Sequence, residues 1–347
     1  MACPGMGYQG RIFSQDHDET ANPSTAPDWN NEGVGTNDNV VYEEEIESES
    51  VKETINSANF AGLNGSLDEP KEREKDTIID VAGSLTFASV TPHNLTTWLY
   101  RILSSRAVGA VFTPGTTRAE FGLLIERGVD RTSSGSSIFE YLGCQVTRAV
   151  ISAREGEPLA MSLDIVGKTA TNSLTSGFTA VPAAAPTNYT AVPSTAAGDP
   201  YMMWNGKLDP FFGSSASDAV PTTRGRTFNE FTLTIETTYS IRRNMSQTVD
   251  EMCISARTYT LGLGADWAVP YADHVHDGSA ATATLKFTNS TDTSVTSTWV
   301  FAALKQRAQE DPTITAAGDP INYPINCTAL SSGSTAALVV TNDDTPT

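Results

Sequence analysis

The chain has 347 residues and a formal net charge of −19, with 39% hydrophobic and 18% charged residues. That length allows two domains or one large β unit with real cores. The acidic balance excludes a protein that grips nucleic-acid phosphates through a basic stripe. It does not exclude a surface that lets DNA pass without holding it. No apolar run is long enough for a membrane span, and the N-terminus MACPGMGYQG has no signal-peptide pattern.

Residues 1–39 are polar, rich in Gly, Asn, Asp and Pro, and without periodicity. Such a segment is expected to be disordered alone and to serve as an arm that orders against a neighbouring subunit. In VVYEEEIESES, Val41, Glu43, Glu45, Glu47 and Glu49 share one parity, and Tyr42, Glu44 and Ile46 share the other. As a strand, this run projects four carboxylates from one face and turns Tyr42 and Ile46 toward a core. Residues 62–76, GLNGSLDEPKEREKD, read as a long charged loop.

Asp80–Ser105 is the stretch around which the other elements can be arranged. Val81, Leu85 and Phe87 share a parity with Gly83, which predicts a strand with one apolar face. Leu95, Trp98, Leu99, Ile102 and Leu103 recur at three and four residues, the stripe of a helix that packs on a sheet. Thr91 is placed as its N-cap and Pro92 at its first position. Ala119–Val129 reads as a strand with Phe121, Leu123 and Ile125 inward. Ile138–Arg154 and Leu159–Val166 alternate on either side of the Glu155-Gly156-Glu157-Pro158 turn, a hairpin signal.

Residues 171–227 turn Ala/Thr/Pro-rich and read as a linker or surface excursion, with PYMMWNG and LDPFFG able to pin it down. The second half then repeats the grammar of the first. Phe228–Ile241 and Met252–Ala265 are strands, WAVPYADHV has room for two helical turns, and Thr282–Asn289 and WVFAALKQRA are further apolar runs. Ile321–Leu330 and Thr335–Thr341 flank Ser331-Ser332-Gly333-Ser334 as a terminal hairpin. Each half thus reads strand, polar loop, strand, helix, strand, closing hairpin, a pattern-level duplication.

Chemical motifs are sparse. Ser162–Thr169, SLDIVGKT, departs from a P-loop by a serine where glycine is needed and lacks a following helix. Asp273-His274-Val275-His276-Asp277 has no third distant histidine to close a metal site; His17 and His93 lie in unrelated contexts. Cys3, Cys144, Cys253 and Cys327 form no C-x-x-C pair and are expected to be reduced, three of them in apolar strands. No catalytic residue, metal or cofactor is assigned.

The acidic YEEEI run, the polar loop leading to DVAGSLTF, the helix opening Thr-Pro and the hairpin YLGCQV…GEPLAMSLDIVGK together resemble the major tail tube proteins of long-tailed bacteriophages. TLTIETTYSI and INYPINCTAL are similar to the C-terminal part of the larger members. The resemblance spans roughly residues 40–170 and 228–341. It implies a mainly β fold of duplicated β-sandwich or barrel modules, each with a flanking helix, whose inner strands join a shared lumen barrel. The expected division is an N-terminal arm (1–39), a first module (40–170), the excursion (171–227), a second module (228–341) and a C-terminal tail (342–347).

The function so implied is a virion tail component, made in the host cytoplasm, whose stacked rings conduct double-stranded DNA. Its partners would be itself, as homotrimeric pseudo-hexameric rings or alternatively hexamers, and the tail terminator, tape measure and distal tail proteins. An acidic lumen repels DNA over about 8 Å in physiological salt. Glu43, Glu45, Glu47 and Glu49 are its candidates, with Asp164 and Glu236. Asp68, Glu69, Pro70, Lys71, Glu72, Arg73, Glu74 and Lys75 are expected to bridge successive rings. The competing reading is a carbohydrate- or receptor-binding β-sandwich of a virion or surface layer; a hydrolase lacks a nucleophile–base set.

Overall fold

The computed structural model describes residues 11–16, 41–59, 74–104, 106–107, 111–116, 119–127, 137–154, 156–172, 198–202, 206–209, 228–266, 280–289, 291–292, 294–306 and 322–343. These form a mainly antiparallel β fold with one α-helix. Its strands are β1 (Arg11–Asp16), β2 (Val41–Glu43), β3 (Ser48–Glu49), β4 (Lys52–Asn59) and β5 (Glu74–Phe87). After the helix α1 (Pro92–Leu103) come β6 (Arg106–Ala107), β7 (Val111–Phe112), β8 (Phe121–Arg127), β9 (Ser137–Arg154), β10 (Ala160–Gly167) and β11 (Thr169–Asn172). The remainder are β12 (Gly206–Asp209), β13 (Phe228–Arg242), β14 (Glu251–Asp266), β15 (Ala281–Thr288), β16 (Thr296–Gln306), β17 (Asn322–Leu330) and β18 (Leu338–Asp343).

One pairing order occurs twice. In the first half β4 pairs β5, β5 pairs β10, β10 pairs β9 and β9 pairs β8. In the second, β13 pairs β14, β14 pairs β17, β17 pairs β16 and β16 pairs β15. A bulge falls between Phe121 and Leu123 in β8·β9, and another between Ala281 and Ala283 at the same place in β15·β16. A short strand precedes each set and joins the same member of it, β1 on β8 and β12 on β15. The halves meet where β9 pairs β13 in seven register pairs, from Arg154–Glu230 to Arg148–Glu236.

Alternation buries one face of this long sheet. Leu85, Leu163, Ile151, Leu233, Leu261 and Ile325 point into the core. Aromatic contacts stitch the layers: Phe231 of β13 lies 5.4 Å from Phe287 of β15, and Trp98 of α1 meets Phe87 and Phe121 edge-on at 5.6 and 5.3 Å. Leu95, Trp98, Leu99, Ile102 and Leu103 are all buried, as their spacing predicts. Thr91 Oγ1 accepts from Asn94 N at 3.1 Å, and Ser104 closes the helix in the left-handed region. Second-half residues hold both helix ends. Asn342 Nδ2 donates to Pro92 O at 3.0 Å, and Arg257 Nη1 donates to Leu103 O at 3.0 Å.

Several expectations are corrected. The acidic run is not one strand: it breaks between Glu43 and Ser48, because Glu44 turns into the core. Part of the supposed arm is strand β1, with Phe13 fully buried against its own chain. The loop expected over 62–76 ends sooner, since Glu74, Lys75 and Asp76 pair with β4. The excursion contains β12 and a core residue, Tyr201, whose hydroxyl donates to Asn342 Oδ1 at 3.2 Å. β17 and β18 do not form a hairpin. Both pair antiparallel with β16, Leu330 opposite Ala303 and Leu338 opposite Phe301, so they are one strand line interrupted by residues 331–337. The near-P-loop stretch is ladder on β5 and β9. WAVPYADHV and the Asp273–Asp277 cluster lie outside the described residues.

Candidate functional site

The opposite face of the long sheet is polar, and its side chains fall into rows. Thr86, Ser162, Val150, Thr234, Thr260 and Thr328 stand side by side across six strands. The next row is Ser84, Asp164, Arg148, Glu236 and Thr258. β-branched threonine suits a pleated surface, and its hydroxyl presents no net charge.

The two arginines of β9 on this face are paired. Arg148 lies between two carboxylates, Nη1 at 3.9 Å from Asp164 Oδ2 and Nε at 3.4 Å from Glu236 Oε1. Arg154 Nε is 3.4 Å from Glu230 Oε2. Two of the three carboxylates sit on β13, so the charges also span the junction between the halves. About half of each side chain in the Arg148 cluster is exposed, so each pair contributes little stability. Their effect is local: one positive charge is screened by two negative ones.

Asp164 and Glu236 thus stand on the solvated face of the sheet, one on either side of Arg148. The odd-numbered glutamates do not form a row there. Glu45 and Glu47 are exposed in the break between β2 and β3, and Glu47 N donates to Thr86 O at 2.8 Å beside the first polar row. Glu49 is opposite Leu85, on the core side of the register, and grips Arg127 with two 2.7 Å bonds. That hydrogen bond is the largest influence raising the Arg127 pKa, with burial opposing it. The Glu43 backbone pairs with Phe13; its side chain lies outside the described residues. Of the expected inter-ring residues, Glu74 and Lys75 begin β5. Asp68, Glu69, Pro70, Lys71, Glu72 and Arg73 lie outside the described residues.

A buried charge centre was not anticipated. Arg101 of α1 is enclosed between the Trp98 and Phe121 rings, at 4.5 and 4.9 Å from their centroids. Its Nε donates to Asp16 Oδ1 at 2.6 Å and its Nη1 to Glu44 Oε1 at 3.5 Å. Trp98 Nε1 donates to the other Glu44 oxygen at 3.1 Å, and Ser14 Oγ donates to Oε1 at 2.5 Å. Burial works against the Arg101 charge, but Asp16 and then Glu44 more than offset it, so its pKa lies above the ordinary value. The centre joins β1 to α1; Arg101 and Glu44 are buried within it, and Asp16 closes its partly exposed edge.

Among the described residues no group of three His, Cys, Asp or Glu side chains is placed to hold a metal ion, and no helix is long and apolar enough to cross a membrane. Cys144, Cys253 and Cys327 form no disulfide, and burial pushes the Cys144 thiol well above the ordinary thiol range and that of Cys327 up to about 12. No protein-family model matches the chain, and no curated protein sequence matches it.

Proposed function

We propose that this chain is a duplicated tail tube subunit, three copies of which close a pseudo-hexameric ring that stacks into a DNA-conducting tube. The observation that carries the reading is the repeated pairing order with its repeated bulge, joined through β9·β13. A repeat joined side by side inside one chain supplies a template for joining the next chain. β13 has β9 on one edge and β14 on the other, whereas its counterpart β4 pairs only with β5 among the described residues. A second copy placed against β4 as β9 is placed against β13 extends the sheet. Repetition with closure removes the open edges, which otherwise invite uncontrolled association.

In this reading the polar face lines the lumen. Hydroxyls and paired charges leave DNA little cationic surface there: Arg148 and Arg154 each stand beside carboxylates that reduce their counterion release, and Lys305, opposite Thr328 at the end of the first row, and Lys52, opposite Ala82, are isolated lysines and not a row. Asp164 and Glu236 act by screening Arg148, and Glu45 and Glu47 flank the sheet edge. The row of four lumen glutamates is not retained. The tube ends would meet the terminator, tape measure and distal tail proteins, and the assembled protein would reside in the virion tail.

Negative-stain microscopy of the purified protein tests the reading. Rings or tubes with a central hole support it. Compact monomers that bind a glycan array support the carbohydrate-binding alternative and sink it.

A further inference from the structure

Three chemically matched side chains meet in the first half, outside the polar rows and the Arg101 centre. Lys168 Nζ lies 2.7 Å from Glu120 Oε1 and donates to Oε2 at 2.8 Å. Gln145 Nε2 donates to the same Oε1 at 3.2 Å. Glu120 precedes β8, Gln145 lies on β9, and Lys168 links β10 to β11. All three are withdrawn from water: Gln145 is 1% exposed, Glu120 6% and the Lys168 side chain 15%.

β9 is shaped to admit the lysine. Gly143 has φ of 61°, in the left-handed region that favours glycine, and a Cβ there would lie 2.6 Å from Lys168 Cδ and 2.8 Å from Cγ. Lys168 N donates to Leu142 O at 3.0 Å, which fixes the root of the side chain beside that gap. The repeat does not require the set. Phe121 pairs with Cys144 and Ala281 with Leu304 at equivalent bulges, so Ala280 and Lys305 stand where the first half has Glu120 and Gln145.

An ion pair accounts for a buried lysine but not for the third group. With Nε2 turned to the carboxylate, Gln145 Oε1 is buried without a hydrogen-bond partner among the described residues. Such an orphan costs stability that an apolar side chain would not, and a reactive role explains its retention. The amine and the leaving nitrogen of the amide share one carboxylate oxygen, the placement that catalysis by proximity needs.

We propose that Lys168 and Gln145 form an intramolecular isopeptide bond, with Glu120 as the proton carrier. Glu120 takes a proton from Lys168 Nζ, and the neutral amine attacks Gln145 Cδ. Glu120 passes that proton to Nε2 and takes a second from Nζ. The Nζ–Cδ bond has then formed, Cδ–Nε2 breaks, and the departing ammonia carries the second proton away as ammonium. No oxidant, cofactor or outside reactant is consumed. The bond closes the β9–β10 hairpin covalently and is independent of the tube reading.

Mass spectrometry of the purified native protein, held until its intact mass is constant, tests the bond. The expected mass is below that of the sequence by one ammonia. Trypsin does not cut after a linked lysine, so the digest should contain a branched peptide joining the Gln145 and Lys168 segments. Lys168→Arg, which retains a cation for Glu120, should show neither change. Glu120→Gln should slow the appearance of the bond by about 100-fold. Wild-type protein with Lys168 unlinked, or an ammonia loss located at any other residue, would overturn the proposal. A bond that forms as fast in Glu120→Gln would overturn the role of Glu120.

Discussion

Gly83→Ala tests the sheet geometry with a sign that is easy to get wrong. In an extended strand this replacement ordinarily stabilises by about 0.4–1 kcal/mol, because it restricts the unfolded chain. At Gly83 the new methyl would lie 2.3 Å from Val51 Cα, 2.5 Å from Val51 N and 2.6 Å from Ser50 O, all backbone atoms of the link between β3 and β4. That link cannot easily retreat. Val51 is fully buried, its carbonyl accepts from Tyr141 Oη at 2.9 Å and Arg127 Nη2 at 2.7 Å, and Ser50 N donates to Ser84 O at 2.9 Å. Overpacking costs about 1–3 kcal/mol, and each hydrogen bond distorted by a shift of the link adds about 1 kcal/mol. The net expectation is a loss of about 2–4 kcal/mol by urea denaturation, with a midpoint lowered by about 3–8 °C. Gly156→Ala is the control: nothing lies within 4 Å of its added methyl, and only its φ of 84° opposes the change. Gly83→Ala as stable as wild type, or less damaging than Gly156→Ala, would refute the crossing of Ser50–Val51 over β5.

Glu44→Ala strands both Trp98 Nε1 and part of the buried Arg101 charge, and should cost about 3–5 kcal/mol in chemical denaturation; a loss under about 1 kcal/mol would mean that the centre is hydrated. Asp164→Asn with Glu236→Gln removes both screens from Arg148, so assemblies should retain DNA at low salt, with the log–log salt slope steeper by about one per freed arginine. Burial pushes the Tyr239 hydroxyl from 10.0 up to about 12. The unfolded chain then ionises first, so this group's stabilising contribution is complete below pH 10.0 and declines toward about 12; Tyr239→Phe should flatten the decline in an alkaline denaturation series. Cys144 and Cys327 should resist alkylation near pH 8 in the native protein and react once it is unfolded, as followed by mass spectrometry.

The helix and the β9–β10 hairpin were legible because each carries its own periodicity. The α1 stripe, its Thr91 cap and the alternation in β9, β10 and β13 are local signals. Long-range pairing was less legible. Ser331–Ser334 looks like a hairpin turn, but β16 offers a partner to both flanking strands, and tertiary pairing overrides the turn signal. Parity predicted that Ile46 faces the core, yet it could not distinguish Glu44 from a solvated glutamate. Its partners Ser14, Trp98 and Arg101 are 30, 54 and 57 residues away. Arg101 does carry a faint signal, because it falls three residues after Trp98 within the apolar stripe. The polar face had a clearer one: Arg148, Val150, Ser152 and Arg154 alternate with Ala149, Ile151 and Ala153, which already separates the faces of β9.

The central claim is that one chain contains two copies of a ring-forming unit joined as successive copies would be. Cryo-electron microscopy of the assembled protein tests it most directly. The account predicts three chains per ring, with β4 of each chain paired to its neighbour as β13 pairs to β9 within the chain. Six full chains per ring, or a ring in which β4 faces solvent, would contradict it.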